Sequence, residues 1–246
     1  MYYYFDESPD GAFASDSGGE GVDLPFQGES SQTTAAAKFG AGSLALGSDP
    51  VMGFGSGLAK GPFGPLGEEI SRMTITLWMM PRTDNAGGTG VFMAQRLNVL
   101  SRGGFTFCYT GAKSFIFYTD GAEGSDGNAK LTSAPTHAWP ENEWVHVAMT
   151  FNEGTVAFYV NGELEGTPQS LPDGVTSIAS PDVTAAVFSG MPSSPGIQYV
   201  DDFGFFGDEA LSHDDIRAVY QKGLKAFVAS HLKGHAQPSP TSLPKK

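Results

Sequence analysis

The sequence predicts an antiparallel all-β protein of two stacked sheets, with one short helix near its C-terminus. The segment Glu143–Gly162 contains two runs that alternate apolar with polar or small residues, joined by a short polar turn. Its second run ends on Asn161-Gly162, which favours a type I′ turn because both central positions need a positive φ. The 33 glycines and 16 prolines of the chain fit many short strands joined by tight turns.

The individual strands are predicted from alternation with a period of two. Between residues 144 and 151, Val145, Val147 and Met149 face one way, and the intervening residues face a wetter surface or a second layer. The predicted strands are Tyr2–Phe5, Ser43–Leu46, Met73–Met80, Val91–Gln95, Phe105–Thr110, Ser114–Thr119, Trp144–Phe151, Thr155–Val160, Thr184–Ser189 and Gln198–Phe206. Residues 47–70 and 120–140 are predicted to be long loops.

One helix is predicted after Ser212. Serine is a good N-cap residue, and Asp214 and Asp215 suit the positive end of a helix dipole. Gly223 is expected just past the end of the helix. The last residues contain prolines and lysines without an apolar period, so we expect one domain over residues 1–228 and a tail or linker over residues 229–246.

Composition and charge exclude several classes of function. The 27 acidic and 14 basic side chains give a formal net charge of −13, which would repel the phosphates of a nucleic acid. No apolar run approaches the roughly 18 residues of a membrane-spanning helix, so membrane insertion is not expected. The N-terminal residues lack the features of a signal sequence. Cys108 is the single cysteine, which excludes an intramolecular disulfide.

Several segments, taken in order, resemble the laminin-G-like jelly roll of the concanavalin A-like lectin and glucanase superfamily. They are MTITLWMMP (73–81), EWVHVAMTFNEGTVAFYVNG (143–162) and YVDDFGFFGDEALSHDDIRAVYQKG (199–223). The N-terminal YFDESPDGAFASDSGGEG (4–21) is similar to the opening segment of that family. The resemblance implies a jelly-roll sandwich of two antiparallel sheets, one concave and one convex.

The resemblance also implies a structural calcium ion on the convex side. Asp201, in VDDF, is the first ligand candidate, and Asp16, in ASDSGG, is the second. Backbone carbonyls of nearby glycine turns would complete the shell, since Ca²⁺ takes about six to eight oxygen ligands. The alternative is that Asp16 caps a turn and Asp201 is a solvated strand residue. In a regular strand Asp202 would point away from Asp201.

No catalytic motif is recognisable. The glucanases of the superfamily carry Glu-x-Asp-x-x-Glu on one strand, which places carboxylates on one face for double displacement, and this sequence lacks that motif. Gly-x-Ser-x-Gly and His-Glu-x-x-His are absent as well. We interpret His146 as a strand residue with a hydrogen-bonded ring instead of an acid or base. We therefore expect a protein that is not an enzyme.

Sugar recognition needs flat aromatic faces and planar polar groups, on the concave sheet and its rim loops. The candidate ligand-binding residues are Trp139, Tyr109, Tyr118, Arg82, Asp84 and Asn85. For each aromatic residue the alternative is packing in the core.

The leading hypothesis is a non-catalytic, calcium-stabilised binding module of a secreted or cell-surface protein. Its partner would be a polysaccharide or a surface protein. The alternative hypothesis is a structural or adhesive module that self-assembles at the cell surface, through the C-terminal tail and the apolar loop at residues 47–66.

Overall fold

The fold is described from a computed structural model of the chain. The structure describes residues 1–7, 13–18, 23–26, 31–46, 69–81, 89–95, 104–110, 113–120, 128–137, 139–179, 186–187 and 197–235. Its strands are β1 (Tyr2–Tyr3), β2 (Phe13–Ala14), β3 (Leu24–Pro25), β4 (Ser31–Thr33), β5 (Ser43–Ala45), β6 (Glu69–Ile70), β7 (Arg72–Pro81), β8 (Thr89–Gln95), β9 (Phe105–Thr110), β10 (Phe115–Asp120), β11 (Asn128–Thr132), β12 (Val145–Asn152), β13 (Thr155–Val160), β14 (Glu163–Leu164), β15 (Gln169–Ser170), β16 (Ile178–Ala179), β17 (Ala186–Val187) and β18 (Ile197–Gly207). Two helices follow, α1 (His213–Lys222) and α2 (Leu224–His235).

Within the described ranges, most strands belong to two antiparallel sheets. The large sheet has nine strands in the order β14-β13-β12-β7-β18-β5-β4, with β1 also paired to β18 and β15 to β13. The small sheet has five strands in the order β11-β10-β9-β8-β17. This arrangement confirms the predicted two-sheet, antiparallel jelly-roll sandwich.

An aromatic core joins the two sheets. Phe107 and Phe117 of the small sheet stack on Phe158 and Phe151 of the large sheet, with ring centroids 6.0 Å and 6.1 Å apart. All four side chains are buried. Because burying each ring removes a large apolar area from water, these contacts hold the sheets face to face.

Two tight turns connect three strands of the large sheet. Asn161 and Gly162, with φ of 51° and 80°, join β13 to β14, which confirms the hairpin predicted there. Glu153 and Gly154, with φ of 46° and 88°, join β12 to β13. Type I′ turns require positive φ at both central residues, and their twist matches the twist of the flanking strands.

Both helices pack on the outer face of the large sheet. Helix α1 begins at the predicted N-cap: Ser212 Oγ accepts from the Asp215 N–H, and the Asp215 carboxylate accepts from the Ser212 N–H. Gly223, at φ 80°, ends the helix as predicted. A second apolar cluster lies between helices and sheet and contains Ala148, Ala157, Tyr159, Phe206, Leu211, Ile216, Val219, Leu224, Phe227 and Val228. The helices are therefore the second layer on the face of β12 that points away from the core.

Helix α2 was not predicted, and the expected domain boundary between residues 228 and 229 lies inside it. Leu224, Phe227 and Val228 are buried against the large sheet, so α2 belongs to the same packed unit. Residues 236–246, the rest of the predicted tail, lie outside the described residues. Neither described helix is long and apolar enough to cross a membrane.

The loop predicted at residues 120–140 is wrong in part, because it contains β11, which pairs with β10. Of the predicted strand Thr184–Ser189, Ala186 and Val187 form β17, and the other four residues lie outside the described residues. The loop predicted at residues 47–70 lies outside the described residues up to residue 68, and it is wrong at its last two residues, which form β6.

Gly154 and Gly174 offer a matched test of the β12–β13 turn. Both have a positive φ, but a Cβ on Gly154 would lie 2.1 Å from the Val175 carbonyl oxygen, whereas a Cβ on Gly174 meets nothing within 4 Å. We expect Gly154→Ala to lower the free energy of unfolding by about 2 kcal/mol more than Gly174→Ala, because only the former adds a clash to backbone strain. Urea denaturation measures both variants, and equal losses would contradict this contact.

Candidate binding surface

Strand register places Tyr118 on the outer face of the small sheet. Tyr118 of β10 lies opposite Thr106 of β9 and Lys130 of β11. Its neighbour Phe117 points into the core, so alternation directs Tyr118 outward. We call a group of six outward residues of these three strands the Tyr118 face; they are Thr106, Cys108, Thr110, Ile116, Tyr118 and Lys130.

The Tyr118 face combines an aromatic ring with a cation. Tyr118 is partly exposed and Lys130 is exposed, with its Nζ 5.7 Å from the centroid of the Tyr118 ring. Cys108 and Ile116 are buried and form a small apolar cluster with Tyr118. Burial raises the pKa of the Cys108 thiol to about 12, so this sulfur is not a nucleophile near neutral pH.

Two threonine hydroxyls of this face have no hydrogen-bond partner. Thr106 is 5% exposed, and the Oγ1 atoms of Thr106 and Thr110 are both buried and unpartnered. Leaving a buried hydroxyl unsatisfied costs about 1–3 kcal/mol, and most such groups in folded proteins are paired. Both oxygen atoms are buried, so a ligand could bond these hydroxyls only if the groups that cover them moved; the prediction from sequence missed them.

Two of the predicted ligand-binding residues lie in the core. Trp139 and Tyr109 are only 2% and 3% exposed. The Trp139 ring lies 4.9 Å from the Phe115 ring and 6.0 Å from the Tyr109 ring, measured between centroids. Their placement on a sugar-binding surface was therefore wrong, because both rings fill the space between the sheets.

The remaining predicted ligand residues have different outcomes. Tyr118 is partly exposed on the outer face of the small sheet, so its role in ligand binding stays a prediction. Arg82, Asp84 and Asn85 follow the end of β7 and lie outside the described residues.

The Asp201 carboxylate is buried and accepts three backbone N–H groups. Its Oδ2 accepts from Lys38 at 2.7 Å and from Phe39 at 3.0 Å, and its Oδ1 accepts from Asp202 at 2.8 Å. Asp201 is thus not the solvated strand residue considered as the alternative to a calcium ligand, because its side chain is fully buried. Its carboxylate holds the segment at residues 38–39 against β18.

Asp16 caps a turn. Its Oδ1 accepts from the Tyr2 N–H at 3.0 Å and from the Gly18 N–H at 2.8 Å. Within the described part of the chain, no group of three or more His, Cys, Asp or Glu could hold a metal ion. The contacts of Asp16 and Asp201 are those of hydrogen-bond acceptors, and calcium stays a prediction at both residues.

Asp202 does not point away from Asp201, contrary to the expectation from regular alternation. The register of β18 against β7 shifts between Asp201 and Gly204, and Asp202 has a φ of 48°. At this irregularity Asp202 Oδ2 accepts from the Leu224 N–H at 2.8 Å, at the first residue of α2. The carboxylate thereby satisfies an N–H that has no partner within the helix and meets the positive end of the helix dipole.

His146 is a buried strand residue, as the sequence indicated. Its Nε2 lies 2.8 Å from Thr76 Oγ1. Burial, assisted by the nearby Lys38 ammonium, lowers the pKa of His146 to about 3. The imidazole is therefore neutral at physiological pH and lies beneath the helices, where it cannot act as a surface acid or base.

Glu165 organises a cluster of polar side chains at the edge of the sandwich. Its buried carboxylate accepts from the Thr136 N–H at 2.7 Å, from the Thr136 hydroxyl at 2.6 Å, and from His137 Nδ1. Although burial alone would raise it, these hydrogen bonds hold the pKa of Glu165 below its usual value. The Thr136 hydroxyl also lies 3.0 Å from His137 Nδ1, the same ring nitrogen that bonds Glu165. A nucleophile–base–acid relay uses the two different ring nitrogens for the hydroxyl and the carboxylate, so this cluster does not have that geometry. It fastens the loop before β12 to the strand pair β13–β14.

Residues 58–217 of the sequence match a laminin G family model of the concanavalin A-like lectin/glucanases superfamily. This match covers more than half of the chain, so the chain belongs to that superfamily. Among curated proteins, none matches the sequence.

Solved structures with the same fold include toxin binding domains and a sugar-bound domain. The binding domain of botulinum neurotoxin serotype D has a TM-score of 0.66 at 17% identity, covering 90% of this chain and 50% of that chain. The binding domain of Paraclostridial Mosquitocidal Protein 1 has a TM-score of 0.65 at 14% identity, covering 89% and 51%. This chain therefore spans about half the length of these toxin domains.

Domain 4 of AbnA is similar over its whole length. AbnA is an extracellular arabinanase from Geobacillus stearothermophilus, and its domain 4 was solved in complex with arabinotriose. The TM-score is 0.55 at 17% identity, covering 89% of this chain and 97% of that chain. At these identities the likeness shows a shared fold.

The two buried aspartates of β18 predict an unusual pH dependence of stability. Burial raises the pKa of Asp201 to about 7 and that of Asp202 to about 6, despite their backbone hydrogen bonds. An acid whose pKa is higher in the folded state binds more protons there, so stability should fall as pH rises from about 4 to about 7.

Urea denaturation at pH 4.5, 6 and 7.5 measures this effect. We expect Asp201→Asn to flatten the fall over that range, whereas Asp173→Asn, at an exposed position, should leave it unchanged. A variant with the same slope as the unmodified chain would contradict the raised pKa of Asp201.

Proposed function

We propose that this protein is a non-catalytic binding module of a secreted or cell-surface protein, and that the Tyr118 face binds a glycan. The observation that carries this proposal is the partly exposed Tyr118 ring beside the exposed Lys130 ammonium, with the buried, unpaired hydroxyls of Thr106 and Thr110 on the same sheet face. Aromatic rings suit the C–H faces of sugars, and polar groups placed beside them bond sugar hydroxyls. A strand-borne site needs little ordering on binding.

Three of the described carboxylates support the proposal that this module is not catalytic. Retaining glycosidases need two carboxyl groups about 5–5.5 Å apart on either side of the bond to be cleaved. The carboxylates of Asp201, Asp202 and Glu165 are each buried and bonded to backbone N–H groups. These contacts support a structural role for all three. Reducing-sugar release from glucans, galactans and arabinans would contradict a purely binding function.

The comparisons support the class of ligand. The sugar-bound domain 4 of AbnA has this fold at nearly the same length. A glycan is therefore favoured over a protein partner as the first ligand to test. An acidic chain with a net charge of −13 favours neutral over anionic polysaccharides at long range.

Binding should depend on Tyr118 and on Thr110. A glycan found on an array is titrated by calorimetry against Tyr118→Ala, for which we expect about a tenfold loss of affinity because the stacking ring is removed. Thr110→Val should also weaken binding without lowering the free energy of unfolding, since its hydroxyl has no protein partner to lose.

Tyr118→Phe is the matched control and should retain most of the affinity, because the ring remains. Thermal melting of every variant separates lost binding from lost folding. The proposal that this face binds a glycan would be contradicted if no glycan on a broad array bound the chain, or if Tyr118→Ala kept full affinity.

Calcium is the second element of the proposal and has its own test. If Ca²⁺ binds the folded chain at Asp16 or Asp201, the melting temperature should be higher in calcium than in EDTA. At 100 times the dissociation constant the gain is about 2.7 kcal/mol. Asp16→Asn should abolish the difference if Asp16 is a ligand. Identical melting temperatures in both buffers would contradict calcium at both carboxylates.

A further inference from the structure

A second row of aromatic and apolar side chains lies on the outer face of the large sheet. Tyr199 of β18 is in register with Met80 of β7. Val145 of β12 is in register with Met79, so the residue before it, Trp144, faces Met80 from the other side. Trp144, Met80 and Tyr199 therefore form one row across three adjacent strands, which we call the Trp144 row.

Among the large apolar and aromatic side chains of this part of the sheet, partial exposure is confined to the Trp144 row. In β7 and β12, which are fully described, Met80 is the only apolar residue that is not buried, and Trp144 directly precedes β12. In β18, also fully described, Tyr199 is the only partly exposed aromatic residue. All three side chains are partly exposed, and large apolar side chains grouped on a surface are typical of binding sites.

The helical layer stops one row short of these residues. The next outward row contains Trp78, which is buried because the Tyr220 ring of α1 stacks on it at 5.4 Å and the Lys38 ammonium lies 4.1 Å from its ring centroid. Beyond Trp78 the rings of Trp144 and Tyr199 lie 6.4 Å apart with an interplanar angle of 42°. The two rings thus form a shallow V with Met80 between their strands.

A polar turn is fixed beside the Trp144 row. The Asn142 N–H donates to the carbonyl of Pro81, the last residue of β7, at 2.9 Å. This bond holds Glu141, Asn142 and Glu143, all of them exposed, next to the end of the strand that carries Met80. The turn supplies two carboxylates and an amide, all of which accept hydrogen bonds from hydroxyl groups. The two carboxylates also repel anions.

We propose that the Trp144 row and the turn at residues 141–143 form a second sugar-binding platform, which takes a neutral oligosaccharide. The aromatic V suits the C–H faces of sugar rings, and the carboxylates suit their hydroxyls. The same carboxylates disfavour uronic acids and sulfated sugars. This platform lies on the side of the sandwich opposite the Tyr118 face and depends on the proposed function only for the class of ligand.

Tryptophan fluorescence reports on this platform in the intact chain. Trp144 is partly exposed, whereas Trp78 and Trp139, the other two tryptophans, are each 2% exposed. Acrylamide quenching should therefore act mainly on Trp144. We expect neutral arabino-, xylo-, gluco- or galacto-oligosaccharides to protect this residue from quenching, and oligogalacturonates to leave it unprotected.

Variants of Tyr199 and Trp144 test whether the oligosaccharide that protects Trp144 from quenching binds at the Trp144 row. Tyr199→Ala should lower the affinity for the protecting oligosaccharide about tenfold, and Tyr199→Phe should retain that affinity. Tyr118→Ala should leave protection unchanged, which separates this platform from the Tyr118 face. If Tyr199→Ala does not fold, as thermal melting would reveal, Trp144→Leu is titrated by calorimetry instead, with the same expected loss.

Three outcomes would overturn the proposal. These are full quenching of Trp144 with every neutral oligosaccharide, unchanged affinity in a folded Tyr199 or Trp144 variant, and better protection by an anionic sugar or a lysine-rich peptide. The last of these would identify the row as a site for a different class of partner.

Discussion

The burial of β7, β12 and β18 on both of their faces is the constraint on which the structure depends. One face meets the aromatic core between the sheets, and the other lies under α1 and α2. Residues on the helix side therefore include buried polar groups such as Thr76 and His146, which bond each other. Their polarity preserves the period of two in the sequence, although both faces of these strands are covered away from the Trp144 row and the strand ends.

The irregularity in β18 connects this doubly covered sheet to the rest of the chain. It places two adjacent carboxylates where Asp201 holds residues 38–39 and Asp202 caps α2. Gly204, directly after the register shift, allows the helix to approach closely, because a Cβ there would lie 3.0 Å from Leu224 Cδ1. Buried carboxylates are costly unless they are hydrogen-bonded, and backbone N–H groups from two segments supply those bonds.

Features encoded by neighbouring residues could be predicted from the sequence, and those set by distant contacts could not. The Asn161-Gly162 turn and the Ser212 N-cap are local, and both were confirmed. Trp139 stands in a polar loop, and nothing nearby in sequence indicates that Phe115 and Tyr109 enclose its ring. The spacing of Leu224, Phe227 and Val228 at i, i+3 and i+4 was an available helix signal, obscured by the glycine before it and the prolines that follow.

The same double burial decides where a ligand can bind. The middle of the large sheet is closed by side chains on one side and by helices on the other, so binding there would require displacing a packed layer. Among the sheet faces that the structure describes, the outer face of the small sheet and the end row of the large sheet each present a partly exposed aromatic ring. Rings held by strands lose little freedom when a sugar stacks on them, so modest contact areas can yield useful affinity. Two such surfaces on opposite sides of one sandwich would also allow a single chain to bridge neighbouring polysaccharide strands.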